Sequence, residues 1–186
     1  LAHEIRNPLG AISNALGVII KYSALSKDDK ELFDIIEKET ERLNQLVEDF
    51  INFSKPSQLN REEAHLHELI DETISILRLD RKLMGGLAIN KSFTSDIPNL
   101  MLDRNQIKQV LWNLFINAIQ AMPGGGILTI KTRYKATEDE VELTVADTGI
   151  GMSNDDLSQV FQPFFSTKDK GLGLGLNIAH KIVKEH

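Results

Sequence analysis

His3 is followed by Glu4 and, one helical turn on, by Asn7 and Pro8. Together these make a nucleophile with its helpers. Neutral imidazole is nucleophilic at about pH 7 because its pKa lies close to that value. Glu4 can accept a hydrogen bond from one ring nitrogen and so make the other more nucleophilic. Asn7 shares a helix face with His3, and its amide can position a phosphoryl oxygen or a water. Pro8 has no N–H for the carbonyl of Glu4 and crowds it, so the helix should bend beside His3. A lone helical histidine is more often a solvated or capping residue. The run His-Glu-x-x-Asn-Pro sets this one apart.

A second constellation lies in the last third. Asn113 and Asn117 stand four apart on one helix face, and amide oxygens are hard ligands that suit Mg²⁺. The plainer reading is two polar residues on a packed helix. Asp147 ends a predicted strand, where a buried carboxylate needs a donor such as the amino group of adenine. Gly149 and Gly151 would let a base lie close to the backbone, although Asp-x-Gly-x-Gly by itself is only a turn signal. Gly171, Gly173 and Gly175 alternate just before a helix, an arrangement that can aim backbone N–H groups at phosphate oxygens. Lys168 could reach a γ-phosphate as a mobile charge. The spacing is neither that of a P-loop nor that of a dinucleotide fingerprint. Phe161, Phe164 and Phe165 read as lid anchors or core rather than ligand contacts, and Trp112 as core. His65 and His67 alternate on a possible strand with no third ligand nearby, which argues against zinc. His180 and His186 read as solvated.

These residues need elements to hold them. Leu1, Ile5, Leu9, Ile12, Leu16, Ile19 and Ile20 recur at helical spacing over residues 1 to 25. Ser26-Lys27-Asp28-Asp29 breaks the pattern and offers caps for a second helix, from about Lys30 to Ser54. Ile36, Leu43 and Phe50 are spaced by seven there, as are Leu32, Glu39, Leu46 and Phe53, which favours a bundle seam. A lone hairpin cannot bury both stripes, so it should dimerise into a four-helix bundle. The alternative is a hairpin folded against its own downstream domain. The acidic run from Glu37 to Glu48 reads as the wet face of the helix.

Lys55-Pro56-Ser57 marks a boundary, because the residue before proline resists helix. Beyond it the patterns predict a short strand over 64–66, a helix from His67 to Lys82 and a strand from Gly86 to Phe93. A strong helix should run from Asp103 to Met122, ended by Pro123-Gly124-Gly125-Gly126. Strands are predicted over 127–134 and 141–146, then a mostly irregular segment over 152–170, a candidate lid, and a last helix from Leu174 to His186. The fold class is α+β: an antiparallel helical hairpin over 1–57, followed over 58–186 by an α/β sandwich with helices on one face of a mixed sheet.

Composition narrows the function classes. The 186 residues carry a net charge of −6, so non-specific nucleic-acid binding is not suggested. There is no cysteine, which excludes disulfides and thiolate chemistry and is compatible with the cytosol. No apolar run is long enough to span a bilayer, and no signal peptide is seen. Leu1 and His186 both lie inside helical patterns, so the chain is expected to be a piece of a longer protein.

The motifs taken together resemble the kinase core of bacterial two-component sensor histidine kinases. His3–Leu9 is similar to the H-box of that family, Asn113–Ala118 to its N-box and Asp147–Gly151 to its G1 box. Phe161–Lys168 is similar to its F-box and Gly171–Leu176 to its G2 box. The compact segment ending Phe-Phe-Ser-Thr-Lys resembles the nitrogen-regulation kinases. The resemblance implies a dimerisation and phosphotransfer hairpin followed by a Bergerat-fold ATPase domain. It implies His3 as phosphoacceptor with Glu4 as its base, Asn117 on Mg²⁺, Asn113 at the phosphates and Asp147 on adenine. Gly149, Gly151, Thr167, Lys168, Gly171, Gly173 and Gly175 would close around ATP.

The resemblance also implies a homodimer and transfer of the phosphoryl group to an aspartate of a response-regulator receiver domain. Glu4–Asn7 fits a phosphatase signature in which Asn7 orients water. The core would be cytoplasmic, with any membrane attachment through parts outside this chain. The family's first helix begins earlier, and its sheet is completed later by a glycine-rich strand pair, so truncation at both ends and an exposed sheet edge are expected. Competing readings are an ATP-driven clamp of the same superfamily, a dimerising scaffold without catalysis, and a protein whose phosphatase activity dominates.

Overall fold

The computed structural model describes residues 10–12, 14–16, 18–19, 27–54, 59–80, 83–167 and 173–186. The chain forms two compact units, Leu1–Pro56 and Ser57–His186.

In the first unit the described residues before position 20 are helical, and helix α1 spans Lys27–Ser54. It starts three residues before the expected Lys30, which puts Asp29 in its first turn, where a carboxylate favours the helix dipole. Thr40 is buried and returns its hydroxyl to the carbonyl of Ile36 at 2.7 Å. Leu32, Ile35, Ile36 and Leu43 are between 45 and 59% exposed in the single chain, an exposed apolar stripe. The rest of the predicted seam, Leu46, Phe50 and Phe53, lies outside the described side chains.

The second unit is a layer of helices on a mixed sheet. Strand β1 (Glu62–Ala64) is followed by α2 (Leu66–Leu77), β2 (Leu87–Phe93), β3 (Leu100–Leu102) and α3 (Arg104–Ala121). Then come β4 (Gly126–Lys135), β5 (Glu140–Asp147), α4 (Asn154–Gln159) and α5 (Gly175–Glu185). The main sheet has the order β2-β4-β5. β2 runs parallel to β4, with Ile89 opposite Leu128, and β5 runs antiparallel to it, with Val145 opposite Ile130. β1 and β3 form a small antiparallel pair, Ala64 opposite Leu100. Along β4, Leu128, Ile130 and Thr132 are buried while Lys131 and Arg133 are exposed, the period-two signature of a sheet covered on one face. The core fills the gap with Leu69, Ile70, Ile74 and Leu77 of α2 and Leu111, Phe115, Ala118 and Ile119 of α3. Among the described residues no helix is long and apolar enough to cross a membrane.

Several local expectations change. The short strand lies at 62–64, not 64–66, because the apolar helical face of α2 already begins at Leu66. That helix stops at Leu77, well before Lys82; the next turn would have to place Leu79, which is 83% exposed. Trp112 is 39% exposed rather than core, since the packed face of α3 is taken by its neighbours Leu111 and Phe115. The segment expected to be irregular contains α4, started by a capping box between Ser153 and Asp156.

Candidate functional site

Helix α3 is the platform. Asp103 caps it, accepting hydrogen bonds from the N–H groups of Asn105 and Gln106 at 3.0 and 3.1 Å. Asp103 is buried, which by itself would raise its pKa. The N–H donors of Gln106, Asn60 and Asn105 outweigh burial and hold the carboxyl below its ordinary range. Further along, Asn113 and Asn117 are half-buried. Asn113 Nδ2 donates to the carbonyl of Gly175 at 3.0 Å, so one of its two amide N–H groups is engaged by the protein. Asn117 also has a partner within the protein.

The loop after β5 is pressed onto the last turn of α3. The N–H of Ile150 donates to the carbonyl of Ala121 at 3.1 Å. A Cβ on Gly149 would lie 2.5 Å from that same carbonyl oxygen, so only glycine permits the contact. Thr148 pins the loop from the other side. Its hydroxyl oxygen accepts from the N–H of Ile127 at 3.0 Å and donates to the sulfur of Met122 at 3.6 Å. Asp147 Oδ1 accepts from the N–H of Gly149 at 2.9 Å. The carboxylate was expected to be buried and is exposed. It shares the inner face of β5 with Val141, Leu143 and Val145, but it stands at the strand's end, where that face opens to solvent. Gly151 has φ +69° and open space where a side chain would go.

A third piece arrives from α5. Leu174 is buried at its N-terminus and supplies no side-chain cap, and the first-turn N–H groups of a helix are where an anion can dock. Gly173 has φ +67°, and a Cβ there would strike the carbonyl of Phe165. Asn177 Nδ2 donates to the carbonyl of Phe161 at 2.7 Å, tying α5 to the segment after α4. Phe161 and Phe164 are more than half exposed, not core, and Thr167 is exposed.

Of the predicted site residues, Asn113, Asn117, Asp147, Gly149, Gly151, Gly173 and Gly175 therefore sit on three segments, two of which dock on α3 between Asn113 and Ala121. His3, Glu4, Asn7, Lys168 and Gly171 lie outside the described residues. Thr148 was missed, although a hydroxyl between Asp147 and Gly149 was its visible signal. His186 was expected to be solvated, and its side chain is exposed. Its Nε2 also accepts from the N–H of Asp103 at 3.0 Å, and its Nδ1 meets the carbonyl of Ile182 at 2.8 Å. His65 and His67 do not alternate on a strand: His65 precedes α2 and His67 lies in its first turn, stacked on Phe93 at 4.3 Å. Among the described residues no cluster of three His, Cys, Asp or Glu could hold a metal.

Residues 102–186 match the family described as Histidine kinase-, DNA gyrase B-, and HSP90-like ATPase, and residues 1–59 match the His Kinase A (phospho-acceptor) domain. Sporulation kinase E of Bacillus subtilis (strain 168) is 34% identical over an alignment that takes in 100% of this chain and 25% of that protein. Sporulation kinase C of the same organism is 36% identical, over 100% of this chain and 42% of that protein. The chain thus spans less than half the length of these curated relatives. The catalytic domain of histidine kinase ThkA is 32% identical, with a TM-score of 0.60 over 68% of this chain and 81% of that one. ThkA in complex with the response regulator protein TrrA gives a TM-score of 0.70 at 30% identity, over 99% of this chain and 52% of that one. With a phosphoacceptor domain and an ATPase domain matched in that order, and most of the ThkA catalytic domain aligned, the chain belongs to the two-component sensor histidine kinases.

Proposed function

We propose that residues 58–186 bind ATP and that its γ-phosphoryl group passes to His3 on the hairpin of residues 1–57, then to an aspartate of a response-regulator receiver domain. One observation carries this reading. The Asp147–Gly151 loop and the start of α5 both dock on the Asn113–Ala121 stretch of α3, which gathers an amine acceptor, amide oxygens and helix-start N–H groups at one place. The donor set fits a magnesium nucleotide. The second oxygen of Asp147 is left to accept from the adenine amino group. The N–H groups at the start of α5 suit phosphate. Mg²⁺, when bound, would neutralise charge on the phosphates, and Asn117 would hold it there, with Asn113 helping at the phosphates.

Glu4 would accept a proton from the ring of His3 as the other nitrogen attacks phosphorus and ADP departs. Thr167, Lys168 and Gly171 would complete the phosphate side, and Asn7 would orient water when the regulator is dephosphorylated. The exposed stripe of Leu32, Ile36 and Leu43 supports a homodimer through the hairpin. The match of residues 1–59 to a phosphoacceptor domain weighs against an ATP-driven clamp. A cytoplasmic core, and kinship with nitrogen-regulation kinases within the family, remain part of this reading.

Calorimetric titration of the full chain with ATP and GTP in Mg²⁺ tests the site. The wild type should prefer ATP, and Asp147→Asn should lose at least about tenfold of that preference, the worth of one specific polar contact to the base. No detectable ATP binding by the wild type overturns the proposal.

A further inference from the structure

We propose that His186 is a positioning residue for nucleotide binding: with Asp103 it fixes the axial register of α5 on α3, and so the placement of Gly173 and Gly175 at the far end of α5. The inference rests on the nucleotide reading of those glycines given above.

The two helices run antiparallel and are tied at both ends. At one end Asn113 Nδ2 donates to the Gly175 carbonyl. At the other the Asp103 N–H donates to His186 Nε2 at 3.0 Å. Ten residues separate the ties on α3 and eleven on α5 (113 − 103 and 186 − 175), so at the helical rise both spans are about 15–16 Å. Between them α5 offers only apolar side chains to the core, Ile178, Ala179 and Ile182, which carry no directional bond. Ridge-into-groove packing of that kind admits neighbouring registers. Two hydrogen bonds at matched spacing admit one.

The chemistry of the second tie is specific. A backbone N–H can only donate, so Nε2 must accept and be unprotonated. The remaining ring proton then sits on Nδ1 and goes to the carbonyl of Ile182 at 2.8 Å. A histidine that merely capped its own helix would need only that last bond. The bond to Asp103 reaches a partner 83 residues away. The same knot takes in the start of the unit: the Asn60 N–H donates to Asp103 Oδ2 at 3.1 Å, and Arg61 Nη2 to the Glu185 carbonyl at 2.7 Å. The Asp147 loop, by contrast, is anchored to α3 through Ala121, and among the described residues no hydrogen bond ties it to α5.

Binding of ATP–Mg²⁺ and of AMP to the full chain separates these ends. His186→Leu should weaken ATP by about tenfold and AMP by no more than about twofold, because only the phosphate side depends on α5. His186→Gln, whose side-chain oxygen reaches the place of Nε2, should recover most of the loss. Unchanged ATP affinity in His186→Leu, or an equal loss for both nucleotides, overturns the inference. Wild-type protein that binds neither nucleotide overturns the nucleotide reading itself. If His186→Leu does not fold, ¹⁵N spectra of the wild type decide. The neutral Nδ1–H tautomer and a slowly exchanging Asp103 amide, both perturbed by ATP and not by AMP, support the tie. The other tautomer, or a fast-exchanging amide, refutes it.

Discussion

The side chain of Asn113 and the backbone of Gly175, 62 residues apart, are joined by a 3.0 Å hydrogen bond that brings the start of α5 to the polar face of α3. Asn113 is thus as much a brace as a ligand. Asn113→Ala should cost about 1 kcal/mol of stability, the net worth of one such bond, and should weaken ATP as well. Asn113→Asp should be worse for folding, because its carboxylate would face the Gly175 carbonyl without a proton to share. Urea unfolding and nucleotide titration of the two variants check both statements.

Gly149 and Gly151 share a motif but are glycines for different reasons. Gly149→Ala puts a methyl 2.5 Å from the Ala121 carbonyl, so the loop must lift off α3. The expected cost is about 1–3 kcal/mol, with a loss of ATP affinity. Gly151→Ala meets no atom and pays only for its positive φ, about 1–2 kcal/mol of backbone strain. ATP affinity should therefore fall more in Gly149→Ala than in Gly151→Ala, and equal losses would refute the distinction.

His67 should make the ATPase unit sensitive to mild acid. Burial lowers its pKa, helped by the neighbouring His65 and Lys91 and opposed by Asp71. The Thr132 hydroxyl accepts from the Thr94 N–H at 3.3 Å and lies 2.8 Å from His67 Nε2, where it can donate to the unprotonated ring. The folded state then binds fewer protons than the unfolded chain just below the ordinary histidine pKa of about 6.5, so stability falls as pH drops through that value toward the lowered one. Urea midpoints from pH 7.5 down to about 5.5 should decline in the wild type and decline less in His67→Gln. A wild-type curve flat over that window contradicts the assignment.

The larger helices and strands were legible because their apolar periodicity is long. α3 was expected from Asp103 and has Asp103 as its cap, and β4 and β5 were each placed within a residue of their ends. Short elements were not: β3 has three residues and α4 six, too few for any period to register, although the Ser153–Asp156 capping box was in plain view. The glycine and asparagine positions of the site could be listed from spacing, yet their physical roles could not. That Gly149 touches Ala121, that Asn113 braces Gly175 and that His186 reaches Asp103 are contacts between residues 28 to 83 apart, which no local pattern encodes. Trp112 was misjudged for the same reason, since hydrophobicity alone does not tell which side of a helix is covered.

Incubation of the full chain with γ-³²P-ATP and Mg²⁺, wild type beside His3→Gln, tests the central claim most directly. The account predicts acid-labile, alkali-stable label on the wild type and none on the variant. Label that persists in His3→Gln, or that survives acid as a serine or threonine ester would, contradicts it.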